Sequence, residues 1–295
     1  MPGNPVKLLF IINPGSGNNK TDWKQEIQTY FQQSSFIIEL FELSQAYNIS
    51  KLKDTILKAK PDRVIAVGGD GTLKLVAEST EGMNLPIGLL PAGSANGMAK
   101  ELGIPVIPAE AMDIIAKGAT RKIHLTEINN EKCIHLSDIG FNAFVVKKFE
   151  SEKRRGMWGY VKAAWKVLWA HNRLKVRIKA DNKLIQREAA MVVIANATKY
   201  GTGVVINPAG KLDDDLFEIV IIKKISLKEI FKMRFTHSSF DTSKTELFQA
   251  SSLEIHSRRK AHFQVDGEYM GKTNKIHARI LPAALEIIAP RSQPQ

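Results

Sequence analysis

Short apolar runs alternate with amphipathic segments along the first third of the chain. The runs lie at residues 6–12, 36–41, 63–67 and 86–90. They are apolar without alternation, which is typical of strands that are buried on both faces of a parallel sheet. Segments such as 22–33 and 50–59 place their apolar residues on one helical face. We therefore predict an α/β domain whose parallel sheet is covered by helices on both faces.

After about residue 120 the pattern changes to short segments in which apolar and polar residues alternate. A period of two is typical of strands with one buried face. The segments lie at 122–128, 133–137, 175–180, 188–195, 216–222, 252–255, 262–265 and 275–280. We therefore predict a β-rich, mostly antiparallel second domain over residues 121–280, and the α/β domain over residues 1–120.

The chain is strongly basic, because its 295 residues have a formal net charge of +12 at pH 7. Such an excess favours nucleic acid, an anionic membrane surface or a polyanionic ligand as partner. The sequence has no recognition-helix or zinc-finger spacing, and it lacks the basic and aromatic signature of an RNA-binding module. We therefore expect no nucleic-acid partner, and we expect basic residues that are solvated or that face a membrane.

The apolar runs are all shorter than the roughly 20 residues that a membrane-spanning helix needs, and we expect no secretory signal. The single cysteine, Cys133, cannot form an internal disulfide and suits a reducing compartment. We therefore expect a cytoplasmic protein that is at most peripheral to the inner face of a membrane. The tryptophan-rich stretch 156–169 fits a membrane interface as well as it fits an ordinary helix that covers a sheet.

Three glycine-rich loops each follow a predicted strand of the first domain. They are Asn13-Pro14-Gly15-Ser16-Gly17, Gly68-Gly69-Asp70-Gly71-Thr72 and Pro91-Ala92-Gly93-Ser94-Ala95-Asn96. Ligands of an open α/β sheet bind beyond the carboxyl ends of its strands, so the loops should converge on one site. Glycine lets the backbone approach a phosphate closely, and a helix that starts in the loop directs free N–H groups at it. The residues that we expect to bind the phosphates of a nucleotide are Asn13, Gly15, Ser16, Gly17, Gly68, Gly69, Asp70, Gly71, Thr72, Ser94 and Asn96.

Asp70 is the unusual member of the second loop, because its carboxylate alone would repel a phosphate. It fits the site if it meets the phosphates through Mg²⁺, or if it accepts a proton from the attacking hydroxyl. The plainer alternative is a tight turn in which Asp70 caps its own helix. In the third loop, Ser94 can cap the following helix or donate to a phosphate, and Asn96 can form hydrogen bonds nearby.

These motifs, in this order, resemble those of the diacylglycerol kinase catalytic-domain family, which includes bacterial lipid kinases, sphingosine kinases and ceramide kinases. Later segments at residues 139–143, 208–216 and 264–268 resemble further motifs of that family. The resemblance covers nearly the whole chain. It implies an ATP-dependent lipid kinase with ATP between its two domains and a lipid-binding second domain. It also implies that residues 281–295 return to the first domain.

The resemblance implies roles for acidic residues of the second domain. Asp214 is expected to bind Mg²⁺ through its side chain, together with the carbonyl groups of Lys211 and Leu216. Glu268 is expected to be the catalytic base, which takes the proton of the lipid hydroxyl as the γ-phosphoryl group arrives. Without the resemblance, the aspartates around Asp214 would be a solvated loop, and Glu268 would be an exposed residue after a hairpin turn.

Three positions depart from the family's pattern. Asp215 stands where the family has glycine, so we expect a different local turn. Gly97 stands where bacterial diacylglycerol kinases tend to carry aspartate, and Phe144 stands where sphingosine kinases place an acidic residue. We favour a diacylglycerol-like acceptor, as in phospholipid biosynthesis. The alternatives are a sphingoid-base or ceramide kinase, an NAD kinase-like enzyme, and a non-catalytic nucleotide- or lipid-binding protein; a homodimer is left open.

Overall fold

The chain folds into two compact units. The computed structural model describes residues 5–17, 21–44, 48–151, 173–198, 210–224 and 242–291. Unit 1 comprises residues 1–123 together with 283–295, and unit 2 comprises residues 124–282. The boundaries predicted from the sequence stand at residues 120 and 281. The tryptophan-rich stretch 156–169 lies outside the described residues.

Unit 1 is built on a parallel sheet. Its strands are β1 (Lys7–Ile12), β2 (Ile37–Glu42), β3 (Arg63–Gly68) and β4 (Ile87–Pro91). They lie in the order β2-β1-β3-β4, and a later segment of the chain adds a parallel strand beside β4, where Ile287 pairs with Ile87. Successive side chains of a strand point to opposite faces, and nearly every residue of β1, β3 and β4 is buried. Both faces of this sheet are therefore covered, which confirms the predicted α/β class.

The described helices of unit 1 connect and cover these strands. They are α1 (Trp23–Phe31), α2 (Ile49–Ala59), α3 (Asp70–Ser79), α4 (Gly97–Glu101) and α5 (Pro108–Lys117). Asp22 and Asn48 cap α1 and α2, because their side chains accept hydrogen bonds from N–H groups three residues later. Helix α1 packs against α5, and α2 packs against α3. The helices therefore form two layers, as a doubly covered sheet requires.

Unit 2 is β-rich, as predicted. The strands that lie in it wholly or in part are β5 (Ala119–Ile128), β6 (Glu131–Cys133), β7 (Leu136–Gly140), β8 (Leu174–Ala180), β9 (Lys183–Ala189), β10 (Met191–Ala195), β11 (Phe217–Ile222), β12 (Thr245–Ala250), β13 (Ser252–Val265) and β14 (Glu268–Ala289). Two short elements accompany them, the helix α6 (Phe141–Ser151) and a 3₁₀ turn at Thr242–Lys244. In the described part of the chain, no helix is long and apolar enough to cross a membrane.

The strands of unit 2 pair antiparallel, in the order β12-β11-β10-β7-β13-β14, and β8 lies between β13 and β9. Strand β13 takes part in both arrangements, since residues 253–257 pair with β8 and residues 263–265 pair with β7. The sequence predicts two separate strands here. The polar residues between them continue the strand, and the register against β14 shifts between His256 and Ala261.

Candidate functional site

The three glycine-rich loops of unit 1 contact one another at the carboxyl ends of β1, β3 and β4. Asn13 Nδ2 donates a hydrogen bond to Thr72 Oγ1 at 2.9 Å, and Ser16 Oγ lies 3.5 Å from the same oxygen. The third loop joins them through the backbone, because Ala92 N donates to Gly68 O at 2.9 Å. The predicted convergence of the loops is therefore confirmed.

Two glycines are required by this close packing. Gly17 has φ +61°, and a Cβ atom added there would lie 2.3 Å from the carbonyl oxygen of Ala92. A Cβ atom on Gly93 would lie 2.5 Å from the Cα atom of Gly69. Gly71 differs, because a Cβ atom there would meet nothing within 4 Å. The loops are thus closed against each other by backbone contacts, and open space remains at the start of α3.

Asp70 binds the first backbone N–H groups of α4, directly after the third loop, rather than its own helix. Its Oδ2 accepts a hydrogen bond from Gly97 N at 2.9 Å, and its Oδ1 accepts one from Met98 N at 2.8 Å. The alternative in which Asp70 caps its own helix is wrong, because Gly69 occupies the N-cap position of α3 and Asp70 is the first helical residue. A carboxylate has about four acceptor positions, so these two bonds leave acceptor capacity on each oxygen.

The third loop is closed by Asn96. Its Oδ1 accepts from Gly93 N at 2.8 Å, and its Nδ2 donates to Gly93 O at 2.9 Å. The predicted cap by Ser94 is wrong, because Asn96 occupies the N-cap position of α4 and the helix receives no side-chain cap there. The first N–H groups of α4 are bonded by Asp70 instead. Ser94 is exposed, where a phosphate could meet its hydroxyl.

The acidic loop of unit 2, which contains Asp213-Asp214-Asp215, is held by contacts with β5. His124 N donates to Leu212 O at 2.7 Å, and the Nε2 atom of His124 lies 3.0 Å from Asp215 Oδ1. Asp215 has φ +57°, so it adopts the left-handed conformation that glycine favours. The turn therefore does not need to differ from the one that glycine would form at this position. Asp214 Oδ1 accepts a weak hydrogen bond from Leu216 N at 3.4 Å.

No group of three or more His, Cys, Asp or Glu side chains that could hold a metal occurs among the described residues. The site expected at this loop has a different composition, with one carboxylate from Asp214 and the carbonyl oxygens of Lys211 and Leu216. Its donors are all oxygen atoms, which is the ligand type that Mg²⁺ prefers. The metal role of these three residues therefore stays a prediction.

Glu268 follows a tight hairpin turn in unit 2. Asp266 and Gly267 have φ values of +50° and +86°, and they connect the paired residues Val265 and Glu268. Positive φ at both central residues is the mark of a type I′ turn, for which Asp-Gly is a favoured sequence. Glu268 is the first residue of β14 and is exposed. A carboxylate in this place is accessible to a substrate.

The hairpin is fixed to a distant segment by the carboxylate of Asp266. It accepts hydrogen bonds from the backbone N–H groups of Ile134, His135 and Leu136 at 2.9–3.2 Å, and from Cys133 Sγ at 3.4 Å. Sequence reasoning treats this residue only as a turn former. No sequence signal could have identified its partners, because they lie about 130 residues earlier in the chain.

An aromatic cluster lies between α6 and the same hairpin. The rings of Phe144 and His262 are stacked, with centroids 4.3 Å apart, and His262 Nδ1 lies 2.8 Å from Tyr269 Oη. Lys147 Nζ lies over the Tyr269 ring, 5.5 Å from its centroid. Sequence reasoning identifies only Phe144, as a departure from the sphingosine kinases. The structure shows that an aromatic stack and a cation occupy this surface.

Two family models match the chain. The diacylglycerol kinase catalytic domain matches residues 7–128, and the YegS C-terminal NAD kinase beta sandwich-like domain matches residues 137–289. Together they include all three glycine-rich loops, the acidic loop and the Glu268 hairpin.

Individual relatives agree with these models. A diacylglycerol kinase of Staphylococcus aureus is 29% identical over 283 residues, which cover 90% of this chain and 87% of the relative. An uncharacterized protein of Synechocystis is 24% identical over 314 residues, which cover 97% of this chain and 72% of the relative. A crystal structure of a diacylglycerol kinase from Bacillus anthracis is similar with a TM-score of 0.72 at 20% identity, and covers 97% of both chains. This structural likeness shows the fold.

Proposed function

The chain belongs to the diacylglycerol kinase family, and from this premise we propose that it transfers the γ-phosphoryl group of ATP to a hydroxyl group of a lipid. The observation that carries the nucleotide part is the convergence of the three glycine-rich loops at the carboxyl ends of β1, β3 and β4. Backbone N–H groups at such strand ends, next to a helix start, favour the binding of phosphate.

We assign the nucleotide phosphates to the open space at the start of α3. Thr72 and Ser16 bring hydroxyl groups there, and Gly71 leaves room for a bulky anion. Asp70 holds the start of α4, which follows the third loop, through Gly97 and Met98. Its remaining acceptor capacity suits a hard cation, so Asp70 orients the bound nucleotide in this proposal.

Magnesium would neutralise charge on the phosphate oxygens, as it does in other phosphoryl-transfer enzymes. The residues that fit it by donor chemistry are Asp70 in unit 1 and Asp214 in unit 2, since both offer carboxylate oxygens. At Asp214 we propose a structural cation site that includes the carbonyl groups of Lys211 and Leu216. Its role is to hold the acidic loop.

Glu268 is the proposed catalytic base. It stands exposed directly after the type I′ turn, and Asp266 anchors that turn to residues 133–136. A carboxylate held on a rigid element can accept the proton of the lipid hydroxyl while the phosphoryl group is transferred. The requirement for accurate placement explains why the turn carries so many anchoring contacts.

The proposed acceptor is a neutral, diacylglycerol-like lipid. Phe144 places an uncharged ring on His262, and Lys147 adds a positive charge over the ring of Tyr269. Position 144 has no carboxylate that could bind a cationic amine. The ammonium group of Lys147 would also repel a protonated sphingoid base. Phospholipid metabolism at a membrane surface is the setting that such an acceptor requires.

The test is phosphate transfer from radiolabelled ATP, in the presence of magnesium, to a lipid mixture that contains diacylglycerol, sphingosine and ceramide. We expect labelled phosphatidic acid from the wild type. Glu268→Gln should lose about 100-fold or more of the rate, because it keeps size but not basicity. Glu188→Gln is the matched control, since Glu188 is an exposed glutamate of unit 2 paired with Lys175.

Other outcomes would change the proposal. Labelled sphingosine phosphate or ceramide phosphate would show that the acceptor is a different lipid, while the phosphoryl transfer itself would stand as proposed. Transfer to NAD in place of any lipid would make the protein a nucleotide kinase. ATP binding without transfer to any acceptor would reject the kinase activity altogether.

A further inference from the structure

The hairpin that carries Glu268 is anchored a second time, through a buried glutamine. Gly267 N, in the peptide directly before Glu268, donates to Gln264 Oε1 at 2.7 Å. The side chain of Gln264 is buried, with 1% of the residue exposed. A buried amide with a short hydrogen bond to the turn restricts where the next residue can point.

The orientation of that amide is set by a buried carboxylate. Gln264 Nε2 donates to Asp138 Oδ2 at 2.6 Å, and Asp138 is 1% exposed. Asp138 also accepts from Asn142 Nδ2 at 2.6 Å and from Ala143 N at 2.8 Å. The backbone N–H group of Gly267 can only donate, so the atom of Gln264 that it meets is the amide oxygen. The NH₂ group of Gln264 must therefore face Asp138, and its carbonyl oxygen must face Gly267.

The chain of contacts links two sequence motifs. Asp138 precedes the segment 139–143 and bonds the first turn of α6. Gln264 lies opposite Asp138 in the β7–β13 pair and begins the segment 264–268. The start of α6 and the turn before Glu268 are thus held by one buried carboxylate that the proposed reaction does not otherwise use.

We propose that Gln264 and Asp138 are positioning residues for Glu268. Asp138 orients the Gln264 amide, the amide holds the N–H group of Gly267, and the fixed peptide directs the Glu268 carboxylate. This inference rests on the proposed role of Glu268 as base. Both residues are buried, so in this proposal each acts through Glu268.

The first test compares Gln264→Met with Gln249→Met. Methionine removes both hydrogen bonds of Gln264 and keeps the length of the side chain. Gln249 is the matched control, because it also donates its amide to a buried carboxylate of unit 2, Glu218, at 3.0 Å. We expect kcat of Gln264→Met to fall about 10- to 100-fold, as displaced catalytic groups do, with an unchanged KM for ATP. Gln249→Met should keep the wild-type kcat.

A double variant tests whether the effect passes through Glu268. Where Gln264 acts only through that carboxylate, Gln264→Met should slow the Glu268→Gln enzyme by less than about twofold, because coupled residues are not additive. A general weakening of the fold would instead make Gln264→Met lower the rates of the wild-type and Glu268→Gln enzymes by the same factor. Single-turnover transfer of labelled phosphate is sensitive enough to compare these slow variants.

A charge exchange provides the rescue. Gln264→Glu alone places two carboxylates about 2.6 Å apart and should lose activity. Adding Asp138→Asn restores one amide and one carboxylate with the donor and acceptor exchanged, and the carboxylate at position 264 would still accept from Gly267. The amide of Asn142, which donates to the same Asp138 oxygen as Gln264, would turn so that its oxygen accepts from the new NH₂ group. We expect the double variant to recover at least about tenfold in kcat over Gln264→Glu.

The outcomes separate this inference from the proposed base. Wild-type activity in Glu268→Gln would reject the base and the positioning role together. Loss of activity in Glu268→Gln with a wild-type kcat in Gln264→Met would reject the positioning role only. An equal loss in Gln264→Met and Gln249→Met would show a general effect of removing an amide that is bonded to a buried carboxylate, and would overturn the inference.

Discussion

At the scale of single residues, the glycines of the nucleotide loops fall into two kinds. Gly17 and Gly93 are required by backbone contacts between loops, since a Cβ atom at either would lie within 2.5 Å of backbone. Gly71 has no such contact, although it belongs to the same motif as Gly69. The first kind shapes the loops, and the second leaves space that a ligand can use.

This difference predicts opposite effects of the same substitution. Gly93→Ala should lower the free energy of unfolding by about 1–3 kcal/mol, as overpacking does. Gly71→Ala lies in the first turn of α3 and should stabilise by up to about 1 kcal/mol, because alanine favours the helix. It should nevertheless raise the KM for ATP, because its methyl group enters the proposed phosphate space. Chemical denaturation and ATP titration measure the two effects, and an unchanged KM in Gly71→Ala would contradict the placement of the phosphates.

At the scale of elements, Glu246 connects two edge strands of unit 2. It lies in β12, at one end of the strand order, and pairs with Arg187 of β9 at 2.7 Å and with Lys223 at 2.8 Å. Hydrogen bonds from Lys223, which has the larger effect, and from Arg187 hold the pKa of Glu246 below its ordinary value of 4.5. The ion pair with Arg187 therefore joins β9 and β12, which have no backbone pairing with each other.

The lowered pKa predicts how stability depends on pH. The folded state binds the Glu246 proton less tightly than the unfolded state, so the stabilisation is present above pH 4.5 and is lost as pH falls through the lower folded value. Glu246→Gln should thus lower the free energy of unfolding at pH 7 and have a smaller effect at about pH 3. Glu188→Gln, which removes a pair between exposed side chains, should change little at either pH. Urea unfolding at both pH values measures this, and equal losses at both would contradict it.

At the scale of the whole molecule, one face of unit 2 carries more basic than acidic side chains. Strands β8, β13 and β14 bury one face, including Val176, Ile178 and Ile255, and expose the other. We call the exposed side the basic face; its basic residues are Lys175, Arg177, Lys179, Arg258, Lys275 and Arg279. Arg177, His256 and Lys275 stand in one cross-strand row. Three glutamates, Glu127, Glu188 and Glu254, offset only part of this charge.

We predict that the basic face makes the peripheral contact with an anionic membrane that the sequence leads us to expect. Reversing Arg177 and Lys275 to glutamate should weaken binding to phosphatidylglycerol vesicles at least about tenfold, since each basic residue near such a surface contributes about 1 kcal/mol. Lys53→Glu with Lys58→Glu on α2 is the control, because it changes the net charge equally in unit 1. Co-sedimentation at low and high salt measures binding. Equal losses in both variants would indicate net charge rather than this face.

Part of the site was readable from the sequence because the signals are local. The glycine loops, the Asp-Gly turn and the acidic loop each lie within a few consecutive residues, and each adopts the backbone conformation that such residues favour. The residues that orient them were not readable. Asp138 lies in none of the motifs that the sequence shows, and the capping role expected of Ser94 belongs to Asp70, which accepts from the first N–H groups of α4.

The order of apolar and polar residues by itself determined that one half of this protein is a covered parallel sheet and the other an antiparallel β structure, because burial of strand faces depends on local periodicity. Only the tertiary structure decided which polar groups meet. Asp70 bonds an N–H group 27 residues away, and Gln264 bonds a carboxylate 126 residues away. Contacts over such separations depend on how strands are ordered and paired, and no short segment of sequence contains that information.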